Sequence, residues 1–139
     1  EYAARAGTTT STYNGVLKAS QTECQQPNSA LDDIAWFCGN AGDWPDGVSH
    51  PVGLKQANAF GLYDSLGNVW EWTWDWYGEY VPGVAVDPVG PDTGEDRTGR
   101  GGSWLYFARH ARSANRGTDH PEDSARSLGM RIGRTGVFW

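Results

Sequence analysis

The sequence predicts an α+β fold, loop-rich and built as one domain, and three observations predict it. The chain has 139 residues, enough for one hydrophobic core and too few for two ordinary domains. Its 19 glycines, 7 prolines and 8 tryptophans, with only 20% charged residues, describe a folded chain full of turns rather than a disordered tail or a helical bundle. It also carries one helix-like segment at its start and one segment of strict strand periodicity in its middle.

Each element can be justified in turn. Glu1 to Gly7, EYAARAG, reads as the last turns of a helix stopped by a glycine C-cap. Thr8 to Asn28 is polar and turn-rich, the composition of a surface loop. In Leu31 to Phe37, LDDIAWF, the residues Leu31, Ile34, Ala35 and Phe37 fall to one side, which predicts a short helix or turn packed by Trp36. Asn40 to His50 returns to Gly, Asp and Pro punctuation. In Asn58 to Tyr80, Trp70, Trp72, Trp74 and Trp76 recur with a period of two, while Glu71, Thr73 and Asp75 take the other parity. That is a strand with one aromatic face, and the tryptophans are expected to be core, in preference to a carbohydrate-stacking platform. Gly78 to Gly102 is a long connection without periodicity, and Leu128 to Ile132 suits a short strand.

A net charge of −6 argues against nucleic acid as a partner. No apolar run is long enough for membrane insertion. Apart from Arg5, the arginines lie between Arg97 and Arg134. Arg109, Arg112, Arg116, Arg126 and Arg131 are expected to make planar hydrogen bonds to carboxylates and loop carbonyls rather than to form an anion site. Cys24 and Cys38 are the only cysteines, which rules out a four-cysteine zinc site and leaves a disulfide or two buried thiols. The cellular compartment stays open, with an extracellular or cell-surface location among the alternatives.

Four ordered motifs carry a family resemblance: GLYDSLGNVWEWTWDWY at Gly61 to Tyr77, RGGSW at Arg100 to Trp104, ARSANR at Ala111 to Arg116 followed by Pro121, and LGMR at Leu128 to Arg131. Together they resemble the sulfatase-modifying-factor family, which includes formylglycine-generating enzyme. The resemblance implies a C-type-lectin-like, formylglycine-generating-enzyme-like α+β fold. It also implies that residues 1–139 are the C-terminal portion of a single such domain, whose N-terminal remainder would be a partner of this part.

In that family GLY(N/D)xxGNxWEW wraps a structural calcium ion, and the matching positions are Asp64, Gly67, Val69 and Glu71. Two carboxylates and two turned-in carbonyls are hard oxygen donors of the kind calcium takes. The family's enzyme holds copper between two cysteines shortly after the GGS(Y/W) motif. Here Trp104 is followed by Leu105, Tyr106, Phe107, Ala108, Arg109 and His110, and no cysteine follows Cys38. No copper is expected, and no formylglycine generation with it. Nor do His50, His110 and His120 have a spacing that makes a metal triad.

The same motifs resemble the variable proteins of diversity-generating retroelements, which display a hypervariable ligand surface on this fold. The corresponding positions are Leu105, Tyr106, Phe107, His110, Gly117, Thr118, Asp119 and His120. Aromatics among small polar groups suit recognition of a protein or a small-molecule ligand, although Leu105 and Phe107 could equally pack inward. The expected function is therefore a non-catalytic, calcium-stabilised binding domain using residues 105–120. The alternative is an enzyme of the same superfamily, formylglycine-generating or a sulfoxide-synthase-like oxidase, with catalytic residues outside this chain.

Overall fold

Among the described residues, loops that tie to each other predominate, and one small four-stranded sheet supplies the regular frame. The computed structural model describes residues 1–17, 24, 28–43, 45–80, 82–83 and 88–133. The remainder of the predicted polar loop 8–28, and positions 81 and 84–87 of the connection after Gly78, lie outside the described residues.

A single helical turn, α1 (Tyr2–Arg5), opens the chain and ends with Ala6 in the left-handed conformation at φ 47°. The glycine stop is therefore shared: Ala6 takes the cap position predicted for Gly7, and Gly7 follows at φ 88°. Strands β1 (Trp70–Trp76), β2 (Arg97–Arg100), β3 (Gly117–Asp119) and β4 (Leu128–Gly129) form one sheet in the order β3-β2-β1-β4. The β1–β2 and β2–β3 pairs are antiparallel, and β4 runs parallel to β1. β2 lies inside the connection that showed no periodicity. Four residues, RTGR, are too short for a pattern, and cross-strand partners rather than local propensity make them a strand.

The core sits beside the sheet and is built from Leu17, Ala30, Leu31, Ile34, Ala35, Phe37, Cys38, Leu66, Ala108 and Ala111. The side of 31–37 predicted to be apolar is the buried one. Its backbone forms consecutive turns, in which Asp32 N–H donates to Asn28 O and Ala35 N–H to Leu31 O. Cys24 and Cys38 are joined in a disulfide, which decides between the two alternatives left by the sequence. Closing a loop of this length stabilises a fold by roughly 3 kcal/mol.

The expectation that the tryptophans of β1 are core holds only at the inner end. Trp70 is 7% exposed, whereas Trp74 is 89% exposed, and Trp72 and Trp76 are half-buried. Trp70 sinks because glycines face it across the sheet: a Cβ at Gly117 would meet its ring at 3.2 Å, and one at Gly99 at 3.6 Å. Farther out, β1 advances from Trp72 to Trp76 while β2 advances only from Gly99 to Arg97, so Trp74 lies in an irregularity of the ladder.

Candidate functional site

Two groups of residues singled out in the sequence lie on either side of Trp104. The first is the loop 58–71. Asn58 opens it, its side-chain oxygen accepting from the N–H groups of Phe60 and Leu62 and its amide donating to Ala3 O. Asn68 closes it at φ 61°. Its N–H donates to Trp36 O, its carbonyl accepts from Trp104 N–H, and its side chain exchanges two hydrogen bonds of 3.0 Å with the backbone of His50. Between them Gly67 takes φ 75°, and a Cβ there would fall 2.4 Å from Trp36 O. No other residue fits, because both the backbone angle and the space forbid it. The glycine and asparagine of the motif thus pin the loop to the turn 35–37 and to the RGGSW segment.

Asp64 is buried at 6% exposure. Its Oδ2 accepts from Gly53 N–H at 2.7 Å, and its Oδ1 is buried with no hydrogen-bond partner. A carboxylate oxygen in that position costs free energy until a donor or a cation meets it, so the side chain fits a hard cation. The same carboxylate and burial, with burial the larger cause, push the Tyr13 hydroxyl up to about 12. Glu71, the other carboxylate expected at the ion, is paired to an arginine. Both of its oxygens are engaged by Arg131, at 2.6 to 3.1 Å, and Arg131 also donates to Tyr63 O at 2.9 Å. Arg131 therefore clamps the start of the loop to its end, and the hydrogen bonds with Glu71 hold the guanidinium charged. A carboxylate has about four lone-pair sites, and the three bonds from Arg131 leave one able to meet a cation. Arg131 was legible only as part of a motif, since its partner is far away in sequence. Among the described residues no three His, Cys, Asp or Glu side chains converge as a metal site, and any calcium here would draw on backbone carbonyls such as those of Gly67 and Val69.

The second group is the segment 105–120. Trp104, 2% exposed, anchors its start through Arg126, whose guanidinium lies over the indole at 4.8 Å. Tyr106 is exposed, but its backbone is fixed: its carbonyl accepts from Cys38 N–H at 3.2 Å, so the disulfide stands directly behind it. Its ring meets Trp70 edge-on at 5.8 Å and His110 at 5.3 Å. Phe107 packs half-buried against the core, the inward alternative for that residue, and Leu105 is half-buried. The 3-10 turn Ala108–Ala111 buries both alanines and raises His110 between Trp70 and Tyr106. Burial, then the nearby Arg109 and Arg112 charges, hold the His110 imidazole below its ordinary value of 6.5. Arg109 Nε donates to its Nε2 at 3.2 Å, a bond that only the neutral ring accepts.

Gly117, Thr118 and Asp119 form β3, and of these Thr118 and Asp119, like His120 after them, are exposed. Thr118 Oγ1 donates to Asp96 at 2.8 Å. Burial, and then Asp123 and Asp96, raise the Asp119 carboxyl. The eight predicted ligand residues thus divide. Tyr106, Thr118, Asp119 and His120 face solvent, while Leu105, Phe107, His110 and Gly117 are partly covered.

Of the five arginines singled out, Arg112, Arg126 and Arg131 make the expected bonds, to Arg109 O, Pro45 O and Glu71, whereas Arg109 donates to His110 Nε2 and Arg116 stacks on Tyr80 at 3.9 Å. Among the described residues no helix is long and apolar enough to cross a membrane.

Comparison with known proteins places this geometry. A family profile described as sulfatase-modifying factor enzyme 1-like domain matches residues 1–135. Formylglycine-generating enzyme of Streptomyces coelicolor is 41% identical over 86 residues, covering 58% of this chain and 27% of that protein. The Bos taurus enzyme is 40% identical over 86 residues, covering 58% and 23%. Among solved structures, Treponema denticola variable protein 1 superposes with a TM-score of 0.77 at 32% identity, covering 93% of this chain and 42% of that one. PvdO from Pseudomonas aeruginosa gives 0.70 at 27% identity, covering 93% and 47%. The chain therefore spans about a quarter of the curated enzymes it matches and less than half of these solved chains.

Proposed function

The chain belongs to the sulfatase-modifying factor enzyme 1-like family, and from that premise we propose that it is a non-catalytic, calcium-stabilised binding domain. Its ligand surface is the outer part of residues 105–120. The observation that carries this reading is the division within that segment. Trp104, Ala108 and Ala111 are buried and act as framework, while Tyr106, Thr118, Asp119 and His120 point to solvent between them. A surface of this kind can change its side chains without changing its core. The likeness to a variable protein over 93% of the chain supports it. Both cysteines are joined to each other, which leaves no thiol pair for copper and supports a non-catalytic role.

Calcium enters through Asp64, whose unpartnered buried Oδ1 supports a hard cation, with the carbonyls of Gly67 and Val69 and the Arg131-paired Glu71 completing the donor set. The ion would supply the positive charge that makes a buried Asp64 tolerable and would hold the loop rather than react.

The binding reading is tested by randomising Tyr106, Thr118, Asp119 and His120 together in a display library and selecting against an immobilised protein such as lysozyme. Most clones should stay folded, and binders should emerge. A library that is mostly unfolded, or folded but barren, ends the reading. The calcium reading is tested by thermal unfolding with and without a chelator. Saturation at a hundred times the Kd should add about 2.7 kcal/mol, and an unchanged midpoint removes the ion.

The 41% identity to a formylglycine-generating enzyme favours one second reading, a catalytic domain whose reactive groups lie outside residues 1–139. An assay for formylglycine on a sulfatase-motif peptide, using the longest natural chain containing this segment, separates the two.

A further inference from the structure

A cleft between the turn at 32–33 and the segment 54–57 is used by neither the display segment nor the proposed calcium ion. It encloses about 540 Å³, and Asp32, Asp33, Leu54, Lys55, Gln56 and Tyr63 are among the residues that line it. That size lies within the range of small-molecule sites, roughly 300–1,000 Å³. Its walls are tied at the backbone. Gln56 N–H donates to Asp33 O at 2.9 Å, and the Gln56 carbonyl accepts from the Tyr13 hydroxyl at 2.8 Å. Tyr63 is held through its own carbonyl by Arg131.

The charged groups of this cleft are not used up by each other. Lys55 is half-buried. Its ammonium lies over the Trp36 ring, 3.8 Å from the centroid, and donates to the Asp32 carbonyl, while His50 stacks on the same indole at 3.7 Å. An ammonium has three donors, so two are left over. Burial draws this ammonium below its ordinary value, and the Asp32 and Asp33 carboxylates partly offset that. Even so, no ion pair joins it to either acid. Asp32 serves its own turn: Oδ2 accepts from Asn28 N–H at 2.6 Å, and Oδ1 is enclosed. Among the described residues, the exposed Asp33 carboxylate accepts no hydrogen bond. The cleft thus holds a cation with spare donors and a carboxylate with open acceptors, kept from pairing by the indole and carbonyl that hold the lysine.

That arrangement selects a ligand class. A simple anion meets Asp33 as well as Lys55, and a simple cation meets Lys55 as well as Asp33, so each gains at one group and loses at the other. A zwitterion gains at both, because its carboxylate accepts from Lys55 and its ammonium donates to Asp33. Leu54 and Tyr63, 62% and 48% exposed, offer apolar surface for a side chain to cover. We propose that the cleft binds a free apolar α-amino acid, with Lys55 on its carboxylate, Asp33 on its ammonium, and Leu54 and Tyr63 against its side chain. The proposal stands apart from the display and calcium readings, which use none of these four residues.

The test is isothermal titration of the protein with leucine and phenylalanine at millimolar concentration. At least one should bind. Its amide, which lacks the carboxylate, and its N-acetyl derivative, which lacks the ammonium, should each bind about tenfold more weakly or worse. Lys55→Met should erase the preference over the amide, and Asp33→Asn the preference over the N-acetyl derivative. Asp33 is exposed, so Asp33→Asn should keep the wild-type melting midpoint, and it decides the matter alone if Lys55→Met does not fold. Tyr106→Ala should bind like wild type. Binding of neither amino acid overturns the proposal, as does equal binding of the two derivatives or wild-type discrimination by Asp33→Asn. Loss of binding in Tyr106→Ala moves the ligand to the display segment and also overturns it, leaving the display reading standing. If the amino acid binds as expected and the display library fails, only the display reading falls.

Discussion

The two ends of β1 carry the same residue and have opposite fates. At the inner end Trp70 is enclosed, with Gly99 and Gly117 beneath its ring and Tyr106 and His110 at its edge. At the outer end Trp74 has an arginine beside it and solvent above. Sequence alternation marks both as strand residues; whether anything covers them depends on what the neighbouring strands place opposite. Two glycines make a recess for one indole, and a ladder irregularity pushes the other out.

The sharpest way to break this contrast is to truncate each ring. Trp70→Ala should cost about 3–5 kcal/mol in denaturant unfolding, as for a buried aromatic. A loss below about 1 kcal/mol would mean that the inner end is not core. Next comes the hinge between the strand and its pinned loop. Gly67→Ala forces a Cβ onto Trp36 O in a left-handed conformation, and about 3 kcal/mol should be lost on the same measurement. If the variant is as stable as wild type, the loop does not dock on the turn 35–37 as described.

The His110 cluster predicts a smaller effect with a pH signature. Its folded pKa lies below 6.5, so the unfolded chain binds its proton first. Stability is then unaffected above about pH 7, falls as pH drops below 6.5, and levels once the folded form also titrates. His110→Gln should flatten that part of the melting profile. A profile unchanged by the substitution would place the ring in ordinary solvent. The smallest effect belongs to Trp74→Ala, within about 0.5 kcal/mol of wild type, and a larger loss would mean that the outer end is covered.

The parts legible in the sequence were those with a local cause. The apolar side of 31–37 and the β1 strand follow from periodicity. The parts that were not legible depend on partners distant along the chain. β2 and β3 carry too few residues to show a pattern and exist because they pair. Among the predicted display residues, Phe107 packs against the core while Tyr106 beside it is exposed. Alternation after Trp104 allowed either, and the 3-10 turn at 108–111 chose. Glu71 was assigned oxygen chemistry by its motif, but Arg131, which engages both of its oxygens, was visible only once the β1–β4 pairing brought the two together.

By itself the sequence determined the family, the strand and its aromatic face, and the lack of any cysteine after Cys38. Those are properties of residue identity and short-range order, which no fold can alter. Only the tertiary structure decided which tryptophan is buried, that the two cysteines join, and that Asp64 keeps an oxygen without a partner. Burial and pairing are set by what arrives from elsewhere in the chain, and in a fold held by long loops most neighbours come from far away.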